Sequence, residues 1–240
     1  MDIVIGNELD LAHAIARKVA DVLRTEPRPR IGLCTGKSPR LTYEILHGLH
    51  LDQQLSLKTA TWIMLDEYLG ISHEDARTFE SELRASLFAG LASNTMNLIS
   101  PLSIQSTTAS SIEAFQAMLE ANPVHLQLVG IGRNGHLAFN EPGSEFTSTA
   151  RIVSLAESTL EDMVRDGWNP NELPRQAATQ GLSNILSARE ILLLAFGETK
   201  IDPVRRAFRE PPTTSCPASV LQSHPNVTAF VTPEVARGLR

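Results

Sequence analysis

Apolar residues in this chain gather in short runs separated by longer amphipathic stretches. The runs 31–34 (IGLC), 61–65 (TWIML), 126–131 (LQLVGI), 190–196 (EILLLAF) and 227–231 (VTAFV) are too short for buried helices. Each predicts a strand covered on both faces. Residues 97–100 and 151–155 predict weaker strands, and 1–6 form a short apolar stretch. Between these runs the spacing turns helical. Leu11, Ala14, Ile15, Val19, Val22 and Leu23 share one face of a helix whose cap is Asn7. Further helices are predicted from Pro39 to about His50, from near Arg77, over 110–120, 179–187 and 200–209, and briefly over 217–221. Alternating buried strands and helices predict an α/β fold: a Rossmann-like, doubly wound, mostly parallel sheet with helices on both faces. No linker or repeat interrupts the chain, so one domain is expected over 1–240.

The strand ends carry the chemistry. Run 126–131 leads into RNGHLAFNEPGS, with Gly130, Gly132 and Gly135 close together and His136 and Glu141 as the acid/base groups. Open α/β sheets bind ligands at the carboxyl ends of their strands, which makes this loop the first candidate site. After 31–34, Thr35, Gly36, Lys37 and Ser38 form a turn into a helix that opens with Pro39. Such a turn offers N–H groups and a positive dipole end to an anion. It is not a Walker motif, and an ordinary strand-to-helix turn has the same pattern. Run 61–65 ends in Asp66, Glu67 and Tyr68. Adjacent side chains point to opposite sides, so one carboxylate is expected in the crevice; the plainer reading is that one acid caps the following loop. Run 190–196 ends in Gly197 and Lys200, either a second anion contact or a solvated helix end. Residues 157–175 are polar and broken by Pro170 and Pro174, which suits a flap over a site as well as a plain surface excursion.

Composition narrows the class. A formal charge of -6 leaves no footprint for nucleic acid. No apolar run could span a bilayer and no signal peptide is read at the N-terminus. Cys34 and Cys216 cannot form a disulfide framework or a four-ligand zinc site alone. A reduced, cytoplasmic protein is expected.

Three stretches together, CTGKSP (34–39), LDEYLG (65–70) and GIGRNGHLAFNEPGS (130–144), resemble the glucosamine-6-phosphate deaminase (isomerase) family, within the superfamily that includes 6-phosphogluconolactonase. The likeness runs on into SAREILLLAFGETK and PASVLQSHPNV. The resemblance implies a Rossmann-like fold and conversion of glucosamine 6-phosphate and water to fructose 6-phosphate and ammonia, a hydrolytic deamination with no metal and no organic cofactor. It implies that Asp66 moves a proton between C2 and C1, that His136 assists ring opening, and that Glu141 orients and charges His136. It places the phosphate on Thr35, Gly36, Lys37 and Ser38, with Lys200 and, from the flap, Arg165. Glu67, Gly132 and Gly135 are expected to line the sugar, the glycines by letting it lie against the backbone.

Asn134 stands where many members have aspartate and is counted with the catalytic groups. A neutral amide gives His136 one carboxylate neighbour fewer. Arg151 is present, but Val153 replaces the second cation that members activated by an acetylated amino-sugar phosphate carry, and the chain stops at Arg240. No such activation is expected. The expected partner is a phosphorylated amino sugar, with no nucleic acid and no membrane, and a homo-oligomer remains open. A galactosamine 6-phosphate substrate is the alternative within the family. A lactonase is disfavoured by Tyr68 and by the intact Asn140-Glu141-Pro142. A non-catalytic sugar-phosphate sensor is disfavoured by the lack of room for a DNA-binding module before residue 31.

Overall fold

The computed structural model describes residues 1–102 and 108–239. Its strands are β1 (Asp2–Ile5), β2 (Arg30–Leu33), β3 (Thr61–Met64), β4 (Asp66–Leu69), β5 (Asn97–Ile99), β6 (Leu126–Gly130), β7 (Arg151–Ser154), β8 (Gln176–Thr179), β9 (Glu190–Ala195) and β10 (Val227–Val231). The helices are α1 (Glu8–Thr25), α2 (Lys37–Leu51), α3 (Phe79–Ala85), α4 (Thr108–Ala121), α5 (Glu157–Arg165), α6 (Leu182–Leu186), α7 (Ile201–Arg209) and α8 (Pro233–Ala236). The fold is a single α/β domain around a parallel seven-stranded sheet in the order β1-β10-β9-β6-β2-β3-β5.

The central strands are apolar because both faces are covered. Ile191 to Ala195 of β9 and Leu126, Leu128 and Val129 of β6 are fully buried. In α1, Leu11, Ile15, Ala16, Val19 and Leu23 face the core, and the Asn7 side chain accepts the Asp10 N–H at 2.9 Å. Among the described residues no helix is long and apolar enough to cross a membrane.

Two features depart from the sequence reading. A second, three-stranded sheet, β4-β8-β7, is antiparallel, with Asp66 and Arg151 both opposite Thr179. The helix expected over 179–187 therefore shortens to α6, because Thr179 completes β8. Second, residues 157–175 are not a loose polar excursion. Most of the first half is α5, whose Thr159, Leu160 and Met163 are buried. Tyr68, Phe139, Leu155, Leu160, Met163 and Ala177 form a small core of their own, with Trp168 packed on it. The Arg77 guanidinium lies 4.6 Å above the Trp168 ring and adds a cation–π contact. The polar side of this segment is the solvated side of an amphipathic helix.

Candidate active site

The chain runs from β2 outward to β3 and β5, then returns to β6 on the other side of β2. A reversal of this kind opens a crevice at the carboxyl ends of the two diverging strands. Apart from Arg165 on α5, the predicted site residues come from four neighbouring strand ends there: Asp66 and Glu67 after β3, the 35–38 turn after β2, the loop that follows β6 through Glu141, and Lys200 after β9.

The β6 loop is folded tightly on itself. The Gly132 N–H donates to the His136 carbonyl at 2.9 Å, and the Asn140 N–H to the Leu137 carbonyl at 3.0 Å. Ala138 sits at φ 51, a left-handed conformation that a residue with a Cβ adopts only under constraint. This turn brings His136 Nδ1 to 3.2 Å from Glu141 Oε2. Two further donors hold the carboxylate. The Thr159 hydroxyl, from α5, donates to Oε1, and Asn134 Nδ2 donates to Oε2 at 2.8 Å. Burial alone would raise the Glu141 carboxyl. Its hydrogen bond to His136, the charge there and the bonds from Thr159 and Asn134 outweigh burial and hold it at about 2. Asn134 is oriented unambiguously, since its Oδ1 accepts the His136 backbone N–H at 3.1 Å. An aspartate at 134 would set a carboxylate against Glu141 where this chain has a donor.

Two of the glycines are required by the loop itself. A Cβ on Gly132 would stand 2.2 Å from His136 Nε2, so Gly132 makes room for the imidazole. Gly135, at φ +93, would meet Cys216 Sγ at 2.7 Å. In both cases a side chain of the chain itself occupies the space beside the glycine.

Asp66 and Glu67 diverge as neighbouring strand residues must. Glu67 is buried with its carboxylate turned to α3, accepting the N–H groups of Phe79 at 3.1 Å and Glu80 at 2.9 Å. It caps that helix, so its carboxylate is committed to backbone donors. Asp66 is 8% exposed, and among the described residues its carboxyl group has no hydrogen-bond or ion-pair partner. Burial first, then the charges of Glu67 and Glu82, push its carboxyl well above the usual carboxylate range. A carboxylate so placed is a strong base when it ionises.

The groups expected to hold an anion are only partly free. Gly36, at φ +98, is a turn that only glycine enters freely, but its N–H is taken by Glu82 Oε1 at 2.8 Å. The N–H groups of Lys37 and Ser38, at the start of α2, are taken by no described residue, and the half-buried side chains of Thr35 and Ser38 make no hydrogen bond among them. Lys200 reaches into the crevice and donates to the Ile131 carbonyl at 2.6 Å; burial lowers its pKa. Lys37 pairs with Asp166 at 2.7 Å, and Arg165 with Asp162 at 2.6 Å. Both pairs are exposed, so they hold their cations weakly. Asp162 also pairs with Arg133 at 3.2 Å, and the charges of Arg133, Lys37, Asp162 and Asp166 all act on Lys200. Sequence reasoning passed over Arg133, Thr159, Asp162 and Glu82. Arg133 lay inside the glycine loop and could have been found as its one cation. The other three lie on helices, Thr159 on the buried side of α5, where nothing in the local pattern marks them.

Beside the site, a hollow of about 630 Å³ is bounded by the 141–149 loop and β7, with Arg151 and Val153 in its lining. The Arg151 guanidinium is already committed, donating to Asn140 Oδ1 at 2.9 Å and Ser144 Oγ at 3.2 Å. Among the described residues no group of three or more His, Cys, Asp or Glu side chains is placed to hold a metal ion.

A parallel doubly wound sheet with acid/base groups and cations gathered at its switch point defines a class of α/β proteins that bind ligands at their strand ends. Within it, this chain belongs to the family described as glucosamine-6-phosphate isomerases/6-phosphogluconolactonase, whose profile matches residues 8–230. Among curated relatives, glucosamine-6-phosphate deaminases of Bacillus thuringiensis (strain Al Hakam) and Bacillus anthracis (strain A0248) are each 34% identical over 232 residues, covering 97% of this chain and 86% of theirs. A solved structure described as a monomeric glucosamine-6-phosphate deaminase superposes with a TM-score of 0.91 at 31% identity, over 100% of both chains. The 6-phosphogluconolactonase of Trypanosoma brucei shares the fold, with a TM-score of 0.76 at 21% identity over 100% of this chain and 98% of that one.

Proposed function

We propose that this chain is a glucosamine-6-phosphate deaminase, converting glucosamine 6-phosphate and water to fructose 6-phosphate and ammonia. The observation that carries the reading is the His136–Glu141 pair, closed by one turn at a strand end two strands from that of Asp66. With Nδ1 engaged by Glu141, Nε2 is the nitrogen free to exchange a proton. His136 takes the proton of the C1 hydroxyl and delivers it to the ring oxygen, which opens the ring to the aldehyde. Asp66 then removes the proton from C2 and returns it to C1, leaving an imine at C2. Water adds to that imine and ammonia leaves, giving the ketose phosphate. Glu141 stabilises the imidazolium that forms on His136 between the two transfers. Lys200, Lys37, Arg165 and the open N–H groups of Lys37 and Ser38 hold the 6-phosphate, which fixes C1 and C2 between the two proton-transfer groups. Release of Asp162 and Asp166 from the cations would let α5 settle over the bound phosphate.

The test compares ammonia release from glucosamine 6-phosphate and galactosamine 6-phosphate with hydrolysis of 6-phosphogluconolactone, on one preparation. We expect ammonia from the glucosamine compound above the other two activities. Ammonia from the galactosamine compound alone would move the substrate to the C4 epimer. Lactone hydrolysis without ammonia from either amino sugar would replace the reading altogether.

A further inference from the structure

Glu82 is a carboxylate that the reaction above does not use. It stands on α3, a helix fixed in place by its cap on Glu67 and by Thr78, whose hydroxyl oxygen accepts the Ser81 N–H at 3.1 Å. From there Glu82 reaches the Gly36 N–H at 2.8 Å. Among the described residues no lysine or arginine nitrogen lies within ion-pair distance of it; Arg40, which faces it from α2, pairs with Glu44. The two strands beneath bring the Gly36 turn next to Asp66. β2 and β3 run in parallel register up to Leu33 and Met64, and the Leu65 N–H donates to the Leu33 carbonyl at 3.2 Å. The turn that begins at Cys34 and the base that follows Leu65 therefore emerge side by side.

A carboxylate is an odd group to find on an N–H of an anion-binding turn. It competes with phosphate for that donor, and it places a negative charge beside another buried acid. Both effects make sense if its task concerns the base. We propose that Glu82 is a positioning residue for Asp66: it pins the Gly36 turn so that the phosphate is confined to the Lys37 and Ser38 side, and it sets a second carboxylate behind the base. The inference rests on Asp66 being the base of the proposed reaction.

The titratable groups around Asp66 are Glu67 and Tyr68 on β4, Cys34 at the end of β2 and Glu82 on α3; opposite it on β8 stands Thr179, which does not titrate. Glu67 is committed to three backbone N–H groups, so its charge serves the α3 cap as well. Glu82 is the acid whose removal separates the charge effect from the helix cap. A like charge disfavours ionisation of its neighbour, so losing Glu82's charge should let Asp66 ionise at lower pH.

Carboxyl carbon-13 resonances read this directly. The Asp66 signal is assigned by its loss in Asp66→Asn and titrated in the wild type, in Glu82→Gln and in Glu82→Asp. Glu82→Gln keeps an oxygen for the Gly36 N–H and loses the charge. We expect its Asp66 midpoint to fall by about half a pH unit or more, and the acid limb of kcat/KM for ammonia release to move with it. Glu82→Asp keeps the charge but is too short for Gly36; we expect an Asp66 midpoint near the wild-type one and a raised KM. An Asp66 midpoint that is the same in Glu82→Gln as in the wild type would overturn the proposal. If Glu82→Gln does not fold, Glu82→Asp decides, and a fallen midpoint with unchanged KM is then the contrary result. The titration needs no substrate. A wild type that releases no ammonia while its Asp66 midpoint depends on Glu82 would sink the deaminase reading and uphold the coupling.

Discussion

Asn134 and His136 converge on one oxygen of Glu141: the Asn134 amide donates to Oε2 over 2.8 Å, and His136 Nδ1 lies 3.2 Å from the same atom. The amide therefore completes the shell that keeps Glu141 ionised. Removing it leaves a buried acceptor short of a partner, at about 1–3 kcal/mol. The sign follows from linkage. The folded pKa of Glu141, about 2, is below its ordinary value of 4.5, so its stabilisation is present above 4.5 and is lost as pH falls through 2. Urea unfolding of Asn134→Ala should show a loss of about 1–3 kcal/mol at pH 7 that shrinks as pH falls towards 2. Equal midpoints at pH 7 would remove Asn134 from this role.

Gly132→Ala places a Cβ 2.2 Å from His136 Nε2 and must displace the ring. A shift of about 1 Å in a reacting group costs about a hundredfold, so kcat for ammonia release should fall by that order. Gly48 in α2 is the comparison, since a Cβ there meets nothing within 4 Å. Gly48→Ala should gain about 0.5–1 kcal/mol in thermal or urea unfolding with activity unchanged. Full activity in Gly132→Ala would mean that the ring position is not critical.

The contrast between these two glycines shows what a sequence can and cannot disclose. The apolar runs 61–65 and 190–196 were legible as strands because burial on both faces leaves no polar position in them. The strand-end location of Asp66, His136 and Lys200 followed from that periodicity. β4 and β8 were not legible. Each is four residues long, one is acidic and the other alanine-rich, and both owe their form to pairing with each other and with β7. The same holds for Gly132 and Gly135, where the pattern marked a close approach but only the fold reveals that His136 and Cys216 are what approaches. Glu82 carried no mark because its partner, the Gly36 N–H, lies 46 residues away in the chain.

Asp66 should trade stability for activity. Its folded pKa is raised, by burial first and then by Glu67 and Glu82. Its contribution is thus fully present below its unfolded value, about 3.9, and is lost as pH rises through the folded one. Asp66→Asn avoids ionisation, so it should melt above the wild type at pH 8, by about 2–4 °C for each kcal/mol regained, and level with it near pH 4. A variant that melts below the wild type at pH 8 would show that the Asp66 charge is stabilised in a way this structure does not account for.

Lys200→Ala removes a half-buried cation that the proposed reaction sets against the 6-phosphate. A hydrogen bond to a charged group contributes about 1.5–3 kcal/mol, so KM should rise about 10- to 100-fold. Since that contact lies far from the reacting carbons, kcat should fall less than KM rises. The check is a saturation curve on each protein, and an unchanged KM would place Lys200 away from the phosphate.

The assignment of the base is tested most directly by isotope transfer. In heavy water, the wild type acting on glucosamine 6-phosphate should produce fructose 6-phosphate with solvent deuterium at C1, because the proton taken from C2 exchanges on Asp66 before it is returned. Asp66→Asn should still be protected by substrate against thermal unfolding, yet give neither deuterium at C1 nor loss of the C2 proton from substrate. Loss of the C2 proton at the wild-type rate in Asp66→Asn would contradict the account and assign the proton transfer to another group.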